Sequence, residues 1–227
     1  MAATLEAVKQ VIHRIWCGSD MPDDYQRYGE DWARLNPGWR VWEWNESELA
    51  TGRWTNQKVV DHLYERDAGR HTTELWAQLA DVLGYELLYQ FGGVYVNTDV
   101  QPVKPLSAIT ADVPWVASED RRYVVNCAMA GPQLHPFFGD VIDRLRQSYW
   151  ENPTGPMNRT TGPWLLTQTW RDHPEVTALP VEVFNPVHWK QVKKGGTAEG
   201  RRVPDTTVAI HHWGHRRDGR SNIIEDG

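Results

Sequence analysis

Two oxygen-bearing side chains, Asn97 and Asp99, stand two residues apart after Val94-Tyr95-Val96, a short apolar run that follows Gly92-Gly93. Alternate residues of a strand point the same way, so both can present oxygens to one point in space. A hard divalent cation such as Mg²⁺ or Mn²⁺ takes such donors, and a diphosphate could supply further oxygens. Polar pairs at strand ends also form turns, and the spacing alone leaves both readings open. Asp81 sits in an otherwise apolar helical run. An unpaired carboxylate buried there would be costly, which favours a functional role. His211-His212-Trp213 follow the last apolar strand, and alternation lets only one of the two histidines face a site. Thirteen Trp is heavy usage for 227 residues. An indole pairs a flat apolar face with one donor, which suits nucleobases and sugar rings.

The elements that must position these groups read as alternating strands and helices. Val11 to Trp16 is an apolar strand, and residues 23–35 form an amphipathic helix stopped by Asn36-Pro37-Gly38. Trp39 to Trp44 alternates as a second strand, and Asn45 with Glu48 predicts a capping box. Residues 72–91 predict the longest helix, capped by Thr72 or Thr73, faced by Leu75, Leu79, Val82 and Leu83, and ended by Gly92-Gly93. Strands at 115–118, 127–130 and 208–210, and helices from Pro136 and from Pro163, complete the pattern. The expected class is α/β, with ligands at the carboxyl edge of the sheet.

The length suits one domain, 1–227, with a core over about 10–180. The composition excludes general disorder, and no apolar run is long enough to span a membrane. Met1 to Gln10 lacks the apolar centre of a secretory signal. Cys17 and Cys127 belong to no CxxC motif, so they are expected as apolar fillers in a reducing compartment. The expected location is the cytoplasm, with peripheral attachment to a membrane left open. A net charge of −6 argues against a nucleic-acid partner. Residues 190–220 hold eight Lys or Arg against three acids, and this segment, 190–227, is expected to close over bound phosphate.

These motifs, in this order, resemble glycosyltransferase family 32, the DXD-motif sugar transferases of capsular polysaccharide synthesis and fungal mannosylation. More distantly they resemble the glucosylating clostridial toxins. The family pattern is approximately SDxxRxxxLxxxGGxYxDxD, and this chain gives Ala80-Asp81, Leu88, Gly92-Gly93, Tyr95 and Asn97-Thr98-Asp99. Ile12-His13-Arg14-Ile15-Trp16, Asn36-Pro37-Gly38-Trp39, Thr161-Gly162-Pro163 and His211-His212-Trp213 match further family elements. The resemblance implies a GT-A-type, Rossmann-like nucleotide-diphospho-sugar transferase domain with a mixed central sheet. It implies a UDP- or GDP-sugar donor, Mn²⁺ or Mg²⁺, a glycan or other hydroxyl acceptor, and retention at the anomeric carbon. It also implies site residues. Trp16 would stack on the base, Asp81 would bind sugar hydroxyls, and Tyr95 would lie near ribose and phosphates. Asp99 would bind the metal with Asn97 and His211. His212 and Trp213 would close over the diphosphate.

Two positions depart from the family pattern. Asn97 replaces an Asp, which keeps an acceptor oxygen and loses a charge. Gly84 replaces an Arg that would contact the donor, and Arg216 and Arg217 are expected to compensate. The same departures motivate an alternative, a weakened relative that binds nucleotide sugar or glycan without turnover. No spacing indicates the paired carboxylates of a glycoside hydrolase.

Overall fold

A computed structural model describes residues 8–109, 114–192 and 196–214. Arg216, Arg217 and the end of the basic segment lie outside these residues. The chain runs β1 (Val11–Ile15), α1 (Asp23–Leu35), β2 (Arg40–Trp44), α2 (Glu46–Ala50), α3 (Gln57–Asp67), α4 (Thr73–Phe91), β3 (Gly93–Val96) and β4 (Val100–Pro102). It continues through β5 (Trp115–Ser118), β6 (Val124–Gly131), α5 (Pro136–Glu151), α6 (Met157–Thr160), α7 (Pro163–Trp170), β7 (Thr177–Ala178), α8 (Val181–Phe184) and β8 (Ala209–His211).

Six strands form one sheet in the order β2-β1-β3-β6-β5-β7. β1 runs parallel to β2 and β3, β5 runs parallel to β7, and β6 is antiparallel to both β3 and β5. The central sheet is therefore mixed, as expected. One face packs on Leu79, Val82 and Leu83 of α4 and Phe137 and Val141 of α5. The other packs on Trp32 of α1 and Phe184 of α8. Alternation along β3 divides its residues between the two cores: Val94 and Val96 enter one, Tyr95 the other.

The long helix forms where the pattern places it. The Thr72 hydroxyl accepts the Leu75 N–H at 3.3 Å, which settles the cap on Thr72. Asn45 and Glu48 form the expected capping box. Gly93 has φ +107, and a Cβ there would lie 2.6 Å from the Val11 carbonyl, so only glycine lets β3 turn in beside β1. His13 locks the same corner. Its Nε2 lies 2.9 Å from the Gly92 carbonyl oxygen, and its Nδ1 accepts the Trp44 indole N–H at 3.1 Å. Burial lowers its pKa to about 4, so the ring is neutral and each nitrogen has one partner.

Three elements differ from expectation. Gln57–Asp67 is a helix that buries Val59, Val60 and Leu63. It is anchored from outside: Glu86 of α4, fully buried, accepts the Thr55 and Asn56 N–H groups at 3.0 and 2.8 Å. β6 extends over Val124–Gly131 and is buried throughout. Residues 100–102 pair with 209–211 as a separate two-stranded ribbon. Among the described residues no helix is long and apolar enough to cross a membrane.

Candidate active site

The carboxyl ends of β1 and β3 and the start of β6 meet at one edge of the sheet. Over that edge lies a cavity of about 1270 Å³, larger than the ~300–1,000 Å³ usual for a ligand pocket. Trp16, Asp81, Tyr95, Asn97, Asp99, His211 and Trp213 all line it. His212 does not. Residues Asn97 to Asp99 fall one to three positions past the last strand residue, in a turn closed by the Val100 N–H on the Asn97 carbonyl at 3.1 Å. The turn, rather than strand alternation, brings Asn97, Thr98 and Asp99 together on the cavity wall.

The β4–β8 ribbon sets the histidines. Val100 pairs with His211, and the His212 N–H donates to the Asp99 carbonyl at 3.0 Å. The His211 ring lies with Nε2 3.2 Å from Asp99 Oδ2 and Nδ1 3.0 Å from Asn185 Oδ1. Burial alone would lower its pKa, but the Asp99 carboxylate and the Cys127 sulfur raise it to about 10. The ring beside the Asp99 carboxylate is therefore held protonated. His212 points the opposite way, stacked on Tyr28 at 5.3 Å with Nε2 2.9 Å from Gln101 Oε1. Its expected contact with the donor is corrected: it is a packing residue between α1 and the ribbon.

Trp213 has φ +54, an uncommon conformation for a non-glycine residue. Its indole donates to the Val187 carbonyl at 2.7 Å, and its ring centre lies 4.1 Å from that of His211. Trp16 is half-buried, donates to the Ser19 carbonyl at 2.8 Å and meets Tyr25 edge-on at 5.6 Å. Tyr95 is buried, and burial pushes its phenol up, so it stays neutral. Its ring lies against Gly84, where an added Cβ would come within 3.1 Å of it. The glycine is therefore a packing partner of Tyr95, and a long side chain at 84 would displace that ring.

Asp81 gains partners from segments remote in sequence. Oδ1 accepts from Asn126 Nδ2 at 2.6 Å and Oδ2 from the Thr161 hydroxyl at 2.9 Å. Asn126 is the third residue of β6 and Thr161 precedes α7, so two distant segments hold one carboxylate. Burial raises the Asp81 pKa to about 7, with the two hydrogen bonds opposing. An acid whose folded pKa exceeds its unfolded one contributes stability at low pH and loses it as pH rises from about 4 to about 7. Asp81→Asn removes that penalty. The variant is expected to be more stable at pH 8 by on the order of 2 kcal/mol, with a smaller gap at pH 5. Urea unfolding at the two pH values measures this; a gap independent of pH would contradict it.

One buried group was missed altogether. Arg14 is fully buried, paired with Glu43, and donates to the Tyr25 and Thr98 carbonyls at 2.7 and 3.0 Å. It thereby ties the Asn97–Asp99 turn to the aromatic wall. The only sequence signal was a charge inside an apolar strand.

For a divalent ion, the donors on the wall are the Asp99 carboxylate and the Asn97 amide oxygen. Among the described residues no group of three His, Cys, Asp or Glu could hold a metal. One carboxylate and one amide suit an ion of the Mg²⁺ type, which takes most of its shell from phosphate and water.

Residues 22–119 match the model of the family described as the glycosyltransferase sugar-binding region containing a DXD motif. This stretch of the chain is similar to that sugar-binding region. The chimpanzee (Pan troglodytes) lactosylceramide 4-alpha-galactosyltransferase is 29% identical over 177 residues, 69% of this chain and 47% of that protein. Inositol phosphoceramide mannosyltransferase 3 of Schizosaccharomyces pombe is 22% identical over 220 residues, 91% of this chain and 60% of that protein. The chain thus spans about half the length of these curated relatives. Among solved structures, the PaToxG glycosyltransferase superposes with a TM-score of 0.60 at 17% identity, covering 75% of this chain and 71% of that one. The UDP-bound glycosyltransferase domain of the YGT toxin gives 0.55 at 10% identity, covering 82% of each. These likenesses establish the GT-A-type fold.

Proposed function

We propose that this chain is a DXD-type glycosyltransferase that moves a sugar from a nucleoside diphosphate to an acceptor hydroxyl, with metal dependence and retention of anomeric configuration. The whole chain serves as one domain in this reading. The observation that carries it is the convergence of Asp81, Asn97 and Asp99, all within the matched sugar-binding region, with Trp16 on one cavity.

The donor lies over the ends of β1 and β3. Trp16 and Tyr25 offer aromatic faces to the base. Asp81, fixed by Asn126 and Thr161, accepts hydroxyl protons from the sugar and so orients the anomeric carbon. Among the described residues lining this half, from Ile15 to Tyr25 and from His71 to Asp99, there is no Lys or Arg. The negative charge of a departing diphosphate therefore needs another counter-charge. Asp99 and Asn97 would hold a divalent cation, which when bound supplies that charge. His211 adds a positive ring beside Asp99.

The step forms a bond from the acceptor oxygen to the anomeric carbon and breaks the bond from that carbon to the diphosphate. The acceptor proton passes to a departing phosphate oxygen. The carboxylates on the cavity wall are already engaged: Asp81 as above, Asp99 by the Gly214 N–H at 2.6 Å, Glu119 by the Trp189 indole at 2.7 Å, and Asp120 by the Arg122 N–H at 2.6 Å. Attack on the face the leaving group departs from needs none of them as a nucleophile.

A panel of UDP- and GDP-sugars, with Mn²⁺ and with EDTA, tests this reading. Free nucleotide is expected from at least one donor with the metal and not with the chelator. Binding of a donor without release would favour the non-catalytic alternative that Asn97 motivates.

A further inference from the structure

The cavity is larger than a donor requires, and its two halves differ in charge. Arg122, Arg159 and Lys190 line the half built from the β5–β6 turn, α6 and residues 188–190. That half is also aromatic, and a chain of contacts joins it into one wall. Lys190 Nζ lies 5.2 Å from the centre of the Trp189 ring, whose indole donates to Glu119 Oε1 at 2.7 Å. The Glu119 N–H donates to the Tyr123 carbonyl at 2.9 Å, and Tyr123 and Trp164 have ring centres 6.1 Å apart. Arg159 sits 5.9 Å over Trp164.

The acids of this wall are engaged internally. Asp120 Oδ1 accepts the Arg122 and Tyr123 N–H groups at 2.6 and 2.9 Å and so shapes the turn. Glu119 accepts the Trp189 indole and lies 3.8 Å from His188. Among the described residues no carboxylate comes within 4.0 Å of the Arg122, Arg159 or Lys190 head groups. In a chain of net charge −6, three such cations beside two half-buried indoles run against the general field.

We infer that this wall is an acceptor subsite for an anionic sugar, a ring bearing a carboxylate or phosphate. The inference rests on the transferase reading above. Ring faces of the sugar would lie on Trp189 and Trp164, and the anionic substituent would meet the guanidinium and ammonium groups. The cations are exposed, so the preference is salt-sensitive.

Titration calorimetry tests it on the whole chain saturated with UDP, or with GDP if UDP does not bind. Two pairs of probes differ only in charge: cellobiouronic acid against cellobiose, and mannose 6-phosphate against mannose. The two pairs separate carboxylate from phosphate. At least one anionic member is expected to bind about tenfold more tightly than its neutral twin. The gap should close in the double variant Arg122→Ala, Arg159→Ala and at high salt, with nucleotide affinity unchanged. The double variant alters exposed side chains, and its fold is checked by its melting curve. Twins that bind alike, or not at all, overturn the inference. So does a gap that survives the double variant, or a loss of nucleotide affinity in it, which would place the cations on the donor diphosphate. If neither nucleotide binds while the anionic sugar does, the donor reading fails and the subsite stands.

Discussion

Asp99→Asn is expected to lower kcat/KM for sugar transfer by about 10²–10³-fold, the loss typical when one preorganised electrostatic contact to developing charge is removed. The substitution is chosen because Asp99 does two things. Its Oδ2 accepts the Gly214 N–H at 2.6 Å and faces His211 Nε2 at 3.2 Å. An asparagine keeps an acceptor for the Gly214 N–H, so the chain beyond β8 stays in place while the charge is lost. Donor-dependent nucleotide release at saturating Mn²⁺, with the melting temperature as control, measures the effect. Asn97→Asp works in the other direction. A second carboxylate on the same turn should lower the Mn²⁺ concentration needed for half-maximal rate. Wild-type turnover in Asp99→Asn would remove the central role given to that side chain.

The largest effect on stability is expected at the Arg14–Glu43 pair. Arg14 is fully buried while the Glu43 side chain is 43% exposed. Burial pulls the guanidinium below its ordinary pKa, and Glu43 pushes it back. Removing the carboxylate therefore strands a cation in the core, whereas removing the arginine leaves an acid that water can reach. Glu43→Ala is expected to cost about 3 kcal/mol, and Arg14→Met combined with it to recover part of that loss. The space for the pair comes from Gly29 of α1, where an added Cβ would lie 2.1 Å from Arg14 Nη1. Urea unfolding of the two single variants and the double gives the cycle. A double variant no more stable than Glu43→Ala would contradict the account. The double variant should still transfer sugar poorly, because the Thr98 carbonyl has lost its donor and the Asn97–Asp99 turn its anchor. That loss separates positioning of the turn from stability alone.

Local pattern carried much of the fold. The apolar face at 75, 79, 82 and 83, the Thr72 cap and the glycine pair define α4 and β3 without outside help, because 3.6-residue periodicity and left-handed glycine are properties of the chain itself. Asn45 and Glu48 cap α2 for the same reason. Gln57–Asp67 was harder to read because its anchor is Glu86, thirty residues away in sequence.

At the site, the family resemblance pointed to Asn97, Asp99, Asp81, Trp16 and Trp213, and all five line the cavity. The direction of each side chain was a different matter. His211 and His212 are indistinguishable in sequence, and only the pairing of Val100 with His211 turns one toward Asp99 and the other onto Tyr28. The partners of Asp81 come from β6 and from the turn before α7, and the anchor of the Asn97–Asp99 turn comes from β1. Chemistry was written in the one-dimensional order because reactive groups are properties of single residues. Orientation and pairing required the closed sheet, because hydrogen bonds between remote segments exist only once those segments are brought together.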